Sequence, residues 1–246
     1  MLKNQEGLTI PNISIQTRVN NDWQTQTTND LFRNKRVIVF GLPGAFTPTC
    51  SSSHLPRYDE LAPVFFANGI DDILCVSVND TFVMNAWQQD QKLQHVKMLP
   101  DGNGALTEAV GMLVDKSDLG FGQRSWRYAM VVNDGVIEKM FIEPEKPGDP
   151  FEVSDADTML SYVCPQAQEP AYYTLFTKAG CPHCARAKAM LNELDLAYEE
   201  IIVQQEVSQR GLSAVTGKNT VPQVFVKGQH IGGADQLAEF LAEATH

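Results

Sequence analysis

The sequence predicts an α/β protein built from two domains, and three observations lead to this prediction. Apolar strand-like runs alternate with amphipathic helices along most of the 246 residues. The alternation is interrupted at residues 166–171, a short polar segment with no apolar period. Each half also places a cysteine where a strand passes into a helix. We therefore expect domains at residues 1–165 and 172–246, joined by a linker at 166–171.

The first domain shows the alternation from residue 36 onwards. Continuous runs rich in Val and Ile predict strands buried on both faces, and apolar residues at helical spacing predict helices. The Asp134-Gly135 pair predicts a hairpin. Ser154, with Asp157 three residues later, predicts the cap of a helix. The expected elements are a strand at 36–42, a helix at 47–66, a strand at 73–78, a helix at 82–91, strands at 127–132 and 136–141, and a helix at 154–163.

The pattern of apolar residues in the second domain predicts a small α/β sandwich with the order β-α-β-α-β-β-α. Lys227 and Gly228 supply the turn of its hairpin. Strands are expected at 172–177, 198–203, 221–226 and 229–231, and helices at 182–194, 205–214 and 235–244.

Composition excludes several classes of function. The 19 Lys and Arg residues against 30 Asp and Glu residues give a formal net charge of -11, which would repel a phosphate backbone. The longest apolar runs are strand-sized, well below the roughly 18 residues that span a bilayer. The N-terminal residues have no apolar run of export-signal length, and five cysteines do not suggest a secreted disulfide framework. We expect a cytoplasmic protein without nucleic-acid or membrane partners.

Cys50 stands in the first turn of a predicted helix, directly after a predicted strand. Unpaired backbone N–H groups and the positive end of the helix dipole favour a thiolate there, and the thiolate is the nucleophilic form of cysteine. The hydroxyl of Thr47, three residues upstream, could reach the sulfur or an oxygen under attack. From position alone, an inert buried cysteine beside a turn threonine is equally consistent with the pattern.

The run Pro-Gly-Ala-Phe-Thr-Pro-Thr-Cys at 43–50 resembles the active-site loop of the peroxiredoxins, and its extension through Ser-x-x-His-Leu-Pro is similar to their fifth subfamily. The resemblance implies that Cys50 is the peroxidatic cysteine, that Thr47 orients the peroxide and that Pro43 shields the pocket. It also implies that Arg127 is the distal active-site arginine, which would stabilise the leaving oxygen. The alternative for Arg127 is a surface charge. His54 is expected to support the loop.

Peroxide would oxidise Cys50 to a sulfenic acid that another thiol must reduce. Cys75 lies inside an apolar strand and is expected to be structural. Cys164 could resolve the sulfenic acid, but no neighbouring residue activates it. An external thiol is therefore favoured.

The second domain contains Cys181-Pro-His-Cys184 between a strand and a helix, the arrangement of a redox motif. Cys181 is placed for exposure, whereas Cys184 is expected to be shielded. Cys181, His183 and Cys184 could begin a metal site, but the sequence has no second cysteine pair to complete it. We therefore expect no metal.

Residues 172–246 resemble a glutaredoxin through Lys178-x-x-Cys-Pro-x-Cys, Thr220-Val-Pro222 and Gly232-Gly233-x-Asp235. The resemblance implies a cis peptide before Pro222 that presents the Val221 backbone to a peptide-like ligand. Lys178 would pair with the glycine carboxylate of glutathione, and Ala234 and Asp235 with its γ-glutamyl end, where a helix N-terminus suits a carboxylate. His183 replaces the usual aromatic residue. The implied glutathione-binding residues are Lys178, His183, Thr220, Val221, Pro222, Gly233, Ala234 and Asp235.

Together the two resemblances imply a peroxiredoxin domain followed by a glutaredoxin domain, both thioredoxin-like. The expected function is antioxidant reduction of hydrogen peroxide and alkyl hydroperoxides by Cys50, with glutathione as co-substrate and Cys181 removing it from Cys50. No permanently bound cofactor is expected, and a homo-oligomer is expected by analogy. Two alternatives stay open: a thioredoxin-fed peroxidase resolved by Cys164, and a redox sensor or holdase.

Overall fold

The chain divides into two compact units, Met1–Glu169 and Pro170–His246. The computed structural model describes residues 2–19, 22–166, 172–194 and 196–244, so residues 167–171 of the expected linker lie outside the described part of the chain. None of the helices in the described ranges is both long and apolar enough to cross a membrane.

A mixed five-stranded sheet forms the centre of the first unit. The strands of the unit are β1 Ser14–Val19, β2 Asp22–Thr27, β3 Arg36–Gly41, β4 Asp72–Ser77, β5 Lys97–Pro100, β6 Leu113–Asp115, β7 Gln123–Ser125, β8 Tyr128–Asn133 and β9 Val136–Ile142. The order in the central sheet is β5-β4-β3-β8-β9, in which β3, β4 and β5 are parallel and β8 and β9 run antiparallel to their neighbours. The other strands form the β1-β2 and β6-β7 hairpins.

Both faces of this sheet are buried, as the continuous apolar runs predict. Along β3, Ile38 and Phe40 belong to one core cluster, while Val37 and Val39 belong to a second cluster on the opposite face. The first cluster also contains Cys50 and Cys75. Cys50 therefore packs in the core cluster that covers one face of β3.

The helices of the first unit are α1 Thr28–Phe32, α2 Leu55–Ala67, α3 Thr81–Asp90, α4 Ala105–Ala109 and α5 Ala156–Val163. The expected helix at 47–66 is two elements, because a π-helical turn, Cys50–His54, precedes α2. The expected cap of α5 is wrong by one residue: Asp155, not Ser154, accepts from the amide of Thr158. Ser154 is fully buried, and its hydroxyl donates to Glu143 instead.

A close approach fixes the end of β3. A Cβ atom placed on Gly41 would lie 2.1 Å from Cε1 of Tyr128, on the adjacent strand β8. Real Cβ atoms do not make contacts this short, so only glycine fits beside the Tyr128 ring. The ring is fully buried, and its hydroxyl has no hydrogen-bond partner among the residues that the structure describes.

The second unit has a four-stranded sheet in the order β11-β10-β12-β13. Its elements are β10 Tyr173–Thr177, α6 Pro182–Glu193, β11 Tyr198–Ile202, α7 Gln209–Thr216, β12 Gln223–Val226, β13 Gln229–Gly232 and α8 Ala234–Ala244. The predicted order of elements is confirmed, but the helix expected from residue 205 begins later, because Ser208 caps α7 by accepting from the amide of Gly211. The strand expected from residue 221 begins at Gln223, after Pro222, which has no N–H to donate to the sheet.

Candidate active sites

Cys50 begins the π-helical turn and is fully buried. Its sulfur accepts a hydrogen bond from Nη2 of Arg127 at 3.5 Å. The expected pair of cysteine and arginine is thus brought together, although Cys50 and Arg127 are 77 residues apart. A cation held against a cysteine sulfur favours the thiolate, which is the nucleophilic form.

Arg127 is buried, with its side chain 1% exposed, so it is not the surface charge that the sequence left possible. Its Nε donates to Asp149 at 3.2 Å, and its Nη2 forms an ion pair with the same carboxylate. Burial opposes the charge, but the hydrogen bond to Asp149 and the negative charges of Cys50 and Asp149 outweigh it and raise the pKa of Arg127. The ring of Phe151 lies 5.5 Å from the guanidinium carbon. Arg127 therefore stays protonated while buried beside Cys50.

His54 contacts Arg127 through the nitrogen Nη1. Nη1 of Arg127 lies 3.0 Å from Nδ1 of His54, and Nε2 of His54 lies 3.1 Å from the carbonyl of Ser154. Burial and, secondly, the charge of Arg127 lower the pKa of His54 to about 3. The imidazole is therefore neutral at physiological pH. It supports Arg127 rather than moving a proton to peroxide.

Thr47 and Pro43 lie in the loop between β3 and Cys50, and both are half-buried. The Thr47 hydroxyl donates to the carbonyl of Gly44 at 2.9 Å, and the Thr47 carbonyl accepts from the amide of Ser51 at 3.0 Å. Thr47 therefore joins the loop to the π-helical turn. Its hydroxyl oxygen retains lone pairs that can accept a hydrogen bond from a ligand.

The remaining thiols of the first unit are not placed like Cys50. Cys75 is fully buried in β4, and burial, followed by the charge of Cys50, raises its pKa well above the usual range. Cys164 is half-buried and follows the last residue of α5. The structural role expected for Cys75 agrees with its burial.

Sequence reasoning missed Asp149 and Glu143, which organise this site. Glu143 is 1% exposed and accepts from the amides of Val153 at 2.9 Å and Ser154 at 2.8 Å. Both acidic residues lie in or beside a Pro- and Gly-containing segment without periodicity, and only the tertiary fold brings them to Arg127. No pattern in the sequence signals this contact.

Cys181 is the N-cap of α6, and its sulfur accepts from the amide of Cys184 at 3.2 Å. The same sulfur lies 3.7 Å from the carbonyl of Val221, which is joined to Pro222 by a cis peptide. Cys181 is half-buried, whereas Cys184 is 2% exposed. Burial, with the hydrogen bond to Cys181, raises the pKa of Cys184 to about 11. Cys181 is therefore the accessible thiol of the pair.

A groove of about 400 Å³ contains the expected glutathione-binding residues except Lys178. Lys218, which sequence reasoning missed, lines the same groove. Lys178 lines a separate cavity of about 490 Å³ together with Cys181 and Cys184. Within the groove, Asp235 forms an ion pair with Arg186, and the amide of Gly233 donates to Gln236. The groove residues are His183, Lys218, Thr220, Val221, Pro222, Gln223, Gly232, Gly233, Ala234, Asp235 and Gln236.

Comparisons with known proteins identify a family for each unit. A redoxin family model matches residues 5–160, and a glutaredoxin family model matches residues 173–231. The hybrid peroxiredoxin hyPrx5 of Haemophilus influenzae is 58% identical over 241 residues, covering 98% of this chain and 100% of that protein. The peroxiredoxin sll1621 of Synechocystis is 54% identical over 178 residues, covering 65% of this chain and 94% of that protein.

A solved peroxiredoxin structure is similar to this chain in fold. Reduced Prx3 of Vibrio vulnificus in complex with hydrogen peroxide has a TM-score of 0.61 and 41% identity, and the match covers 64% of this chain and 98% of that one. The fold of the first unit agrees with this neighbour. The chain therefore belongs to the peroxiredoxins, as a peroxidase with two thioredoxin-like domains, of which the second is a glutaredoxin domain.

Proposed function

We propose that the chain is a glutathione-dependent peroxidase that completes its catalytic cycle within one polypeptide. The observation that carries the proposal is the groove of about 400 Å³ lined by Lys218, Val221 and the start of α8 at Ala234. The carbonyl of Val221 lies 3.7 Å from the Cys181 sulfur, which connects the groove to the reactive thiol. A cation and a helix N-terminus both favour the carboxylates of a peptide ligand. Glutathione carries one carboxylate at each end.

The first half of the cycle takes place at Cys50. Its thiolate attacks the terminal oxygen of hydrogen peroxide or an alkyl hydroperoxide, forming a sulfenic acid while water or an alcohol leaves after taking a proton. Arg127 stabilises the negative charge on the leaving oxygen, and Thr47 orients the peroxide. One glutathione then condenses with the sulfenic acid to give a mixed disulfide and water.

The second half takes place at Cys181. Its thiolate attacks the sulfur of the bound glutathione and releases Cys50 as a thiolate. A second glutathione then displaces the first from Cys181 as oxidised glutathione. One peroxide and two glutathione molecules thus give water or an alcohol, a second water and oxidised glutathione. Joining the two thiols in one chain raises their effective concentration, which supports this division of labour.

The proposal is tested with the full chain, hydrogen peroxide and glutathione as the sole reductant, without added glutaredoxin. We expect steady peroxide consumption and one oxidised glutathione for each peroxide reduced. Cys181→Ser should abolish this activity but preserve turnover supported by dithiothreitol, whereas Cys50→Ser should abolish both. Equal glutathione-supported activity in Cys181→Ser and the unaltered chain would refute the role of the second domain.

The same experiments separate the alternatives. A disulfide between Cys50 and Cys164 in the peroxide-treated chain, found by mass spectrometry under non-reducing conditions, would favour the thioredoxin-fed peroxidase. A single burst of peroxide consumption that stops despite excess glutathione would favour a redox sensor or holdase.

We further propose that the protein acts in cytoplasmic antioxidant defence as a homo-oligomer. Large exposed apolar side chains of the first unit, including Trp23, Phe46 and Phe82, support association with a second copy. Light scattering at micromolar concentration gives the mass of the assembly and tests the oligomeric state.

A further inference from the structure

The segment between β9 and α5 returns to the active site of the first unit and places Asp149 on Arg127. We propose that Asp149 is a positioning residue for the peroxidase reaction: it orients the guanidinium towards Cys50 and remains its counter-ion after the sulfur has been oxidised. The inference rests on peroxide reduction at Cys50 and is independent of the thiol that later reduces the enzyme.

The three nitrogens of the Arg127 guanidinium are divided among Asp149, His54 and Cys50. Nε donates to Asp149 at 3.2 Å, Nη1 to His54 at 3.0 Å and Nη2 to Cys50 at 3.5 Å, with Nη2 also paired to Asp149. His54 is fully buried and Arg127 is 1% exposed, so the guanidinium itself is almost completely shielded from solvent. Rotation of the guanidinium away from Asp149 would also move Nη2 away from the Cys50 sulfur.

The chemistry removes one of the two anions beside Arg127. The Cys50 thiolate donates an electron pair to the terminal peroxide oxygen, the S–O bond forms as the O–O bond breaks, and the departing oxygen takes a proton from solvent. In the resulting sulfenic acid, as in the mixed disulfide that follows, the Cys50 sulfur carries no negative charge. Because a buried cation without an anion is strongly disfavoured, a constant counter-ion keeps Arg127 in place through these states. Asp149 is the carboxylate in contact with it.

The position of Asp149 is set by a buried carboxylate. Glu143 is joined to Arg127 by its backbone, since its amide donates to the carbonyl of Arg127 at 3.2 Å. Its side chain accepts from the amides of Glu152, Val153 and Ser154 at 2.8–2.9 Å. Both ends of the segment are thereby fixed beside Arg127, and Asp149 lies between them. The Asp149 side chain is 40% exposed, so its replacement leaves no buried cavity.

A purely structural role would make Asp149 a tether for the segment and nothing more. Asp149→Asn distinguishes the two roles, because asparagine keeps an oxygen that accepts from Arg127 but lacks the charge. In the described part of the chain, the charged and titratable groups packed around Cys50 include Arg127, His54, Cys75, Asp149 and Tyr58 of α2. Removing the charge of Asp149 leaves Arg127 more strongly positive towards the sulfur.

The test measures oxidation of the reduced full chain by hydrogen peroxide in stopped flow, without glutathione, as a function of pH. Asp149→Ala should lower the second-order rate constant about 10- to 100-fold, the usual effect of misplacing a group at the reacting centre. Asp149→Asn should lose less and should move the midpoint of the pH–rate profile towards lower pH, because the charge that offsets Arg127 is removed. Glu145→Gln, which removes an exposed acidic charge from the same segment, is the control and should match the unaltered chain.

Three results would overturn the proposal. An unchanged rate constant in Asp149→Ala would show that Asp149 does not position Arg127. An equal loss of rate in Glu145→Gln would show that the segment's general charge is responsible. If Asp149→Asn reacts slowly but the midpoint of its pH–rate profile is unchanged, Asp149 has only the structural role of holding the segment. Since glutathione is absent, none of these results depends on the function proposed for Cys181.

Discussion

Arg127 and His54 fix each other's chemical form. Arginine has only donors, so the Nδ1 atom of His54, 3.0 Å from Nη1 of Arg127, must accept. The hydrogen of the neutral ring is then on Nε2, from which it donates to the carbonyl of Ser154 at 3.1 Å. A proton added to Nδ1 would both break this bond and place two cations together. The neutral state of His54 is therefore part of the folded structure.

This arrangement predicts a pH-dependent loss of stability. The pKa of His54 is lowered to about 3 in the folded protein from an ordinary value of 6.5, so the unfolded chain takes up a proton that the folded chain excludes. The stabilisation is complete above pH 6.5 and is lost as the pH falls towards 3. The free energy of unfolding should fall with a slope approaching about 1.4 kcal/mol per pH unit from this group.

His54→Asn provides the comparison, because its side-chain oxygen can accept from Arg127 but does not titrate. Urea unfolding of both proteins between neutral pH and about pH 4 isolates the contribution of His54 from that of the carboxylates. The difference in stability between the two should shrink as the pH falls. Parallel curves would mean that His54 is protonated equally in the folded and unfolded chains.

Cys184 should be dispensable for turnover with glutathione. Burial and the contact with Cys181 raise its pKa to about 11, so it remains a thiol at neutral pH and is not a nucleophile there. We expect Cys184→Ser to retain glutathione-supported turnover within about twofold of the unaltered chain. The rate of oxidised glutathione formation measures this, with Cys181→Ser as the inactive control. Loss of activity in both variants would mean that an internal disulfide is required.

Lys218 should contribute to the binding of glutathione. It lines the groove that holds most of the expected binding residues, and its charge is suited to a terminal carboxylate. Lys218→Ala should raise the KM for glutathione about fivefold, equivalent to roughly 1 kcal/mol, with little change in kcat. Arg210→Ala, an exposed change on α7, is the matched control.

Lys178→Ala tests the expectation from the sequence in the same assay. Lys178 lies in the separate cavity next to Cys181. If Lys178→Ala raises the KM for glutathione and Lys218→Ala does not, the glycine carboxylate binds in that cavity and the groove assignment is incorrect.

The sequence predicts those features that depend on local pattern. Val37 to Phe40 form a continuous apolar run, and their alternation between two core clusters follows from the period of a strand. Cys50 and Cys181 are recognisable because each follows a strand within a long motif. The same motif places Thr47 and Pro43 in the loop before Cys50.

Features that depend on distant residues could not be predicted. Ser154 and Asp155 are both good caps, and Asp155 caps α5 because Glu143 binds the hydroxyl of Ser154. Asp149 lies 22 positions after Arg127, beyond β8 and β9, in an irregular segment that has no period to indicate the contact. The hairpin of β1 and β2 was also missed, because its exposed polar residues lack the apolar alternation of a half-buried strand.

The Tyr128 ring also limits how this enzyme could be redesigned. Because the ring occupies the space that any side chain at position 41 would need, libraries aimed at widening peroxide selectivity gain nothing from randomising Gly41 unless Tyr128 is reduced in size with it. Positions 41 and 128, on neighbouring strands, share one space in the core, so a larger residue at one requires a smaller residue at the other.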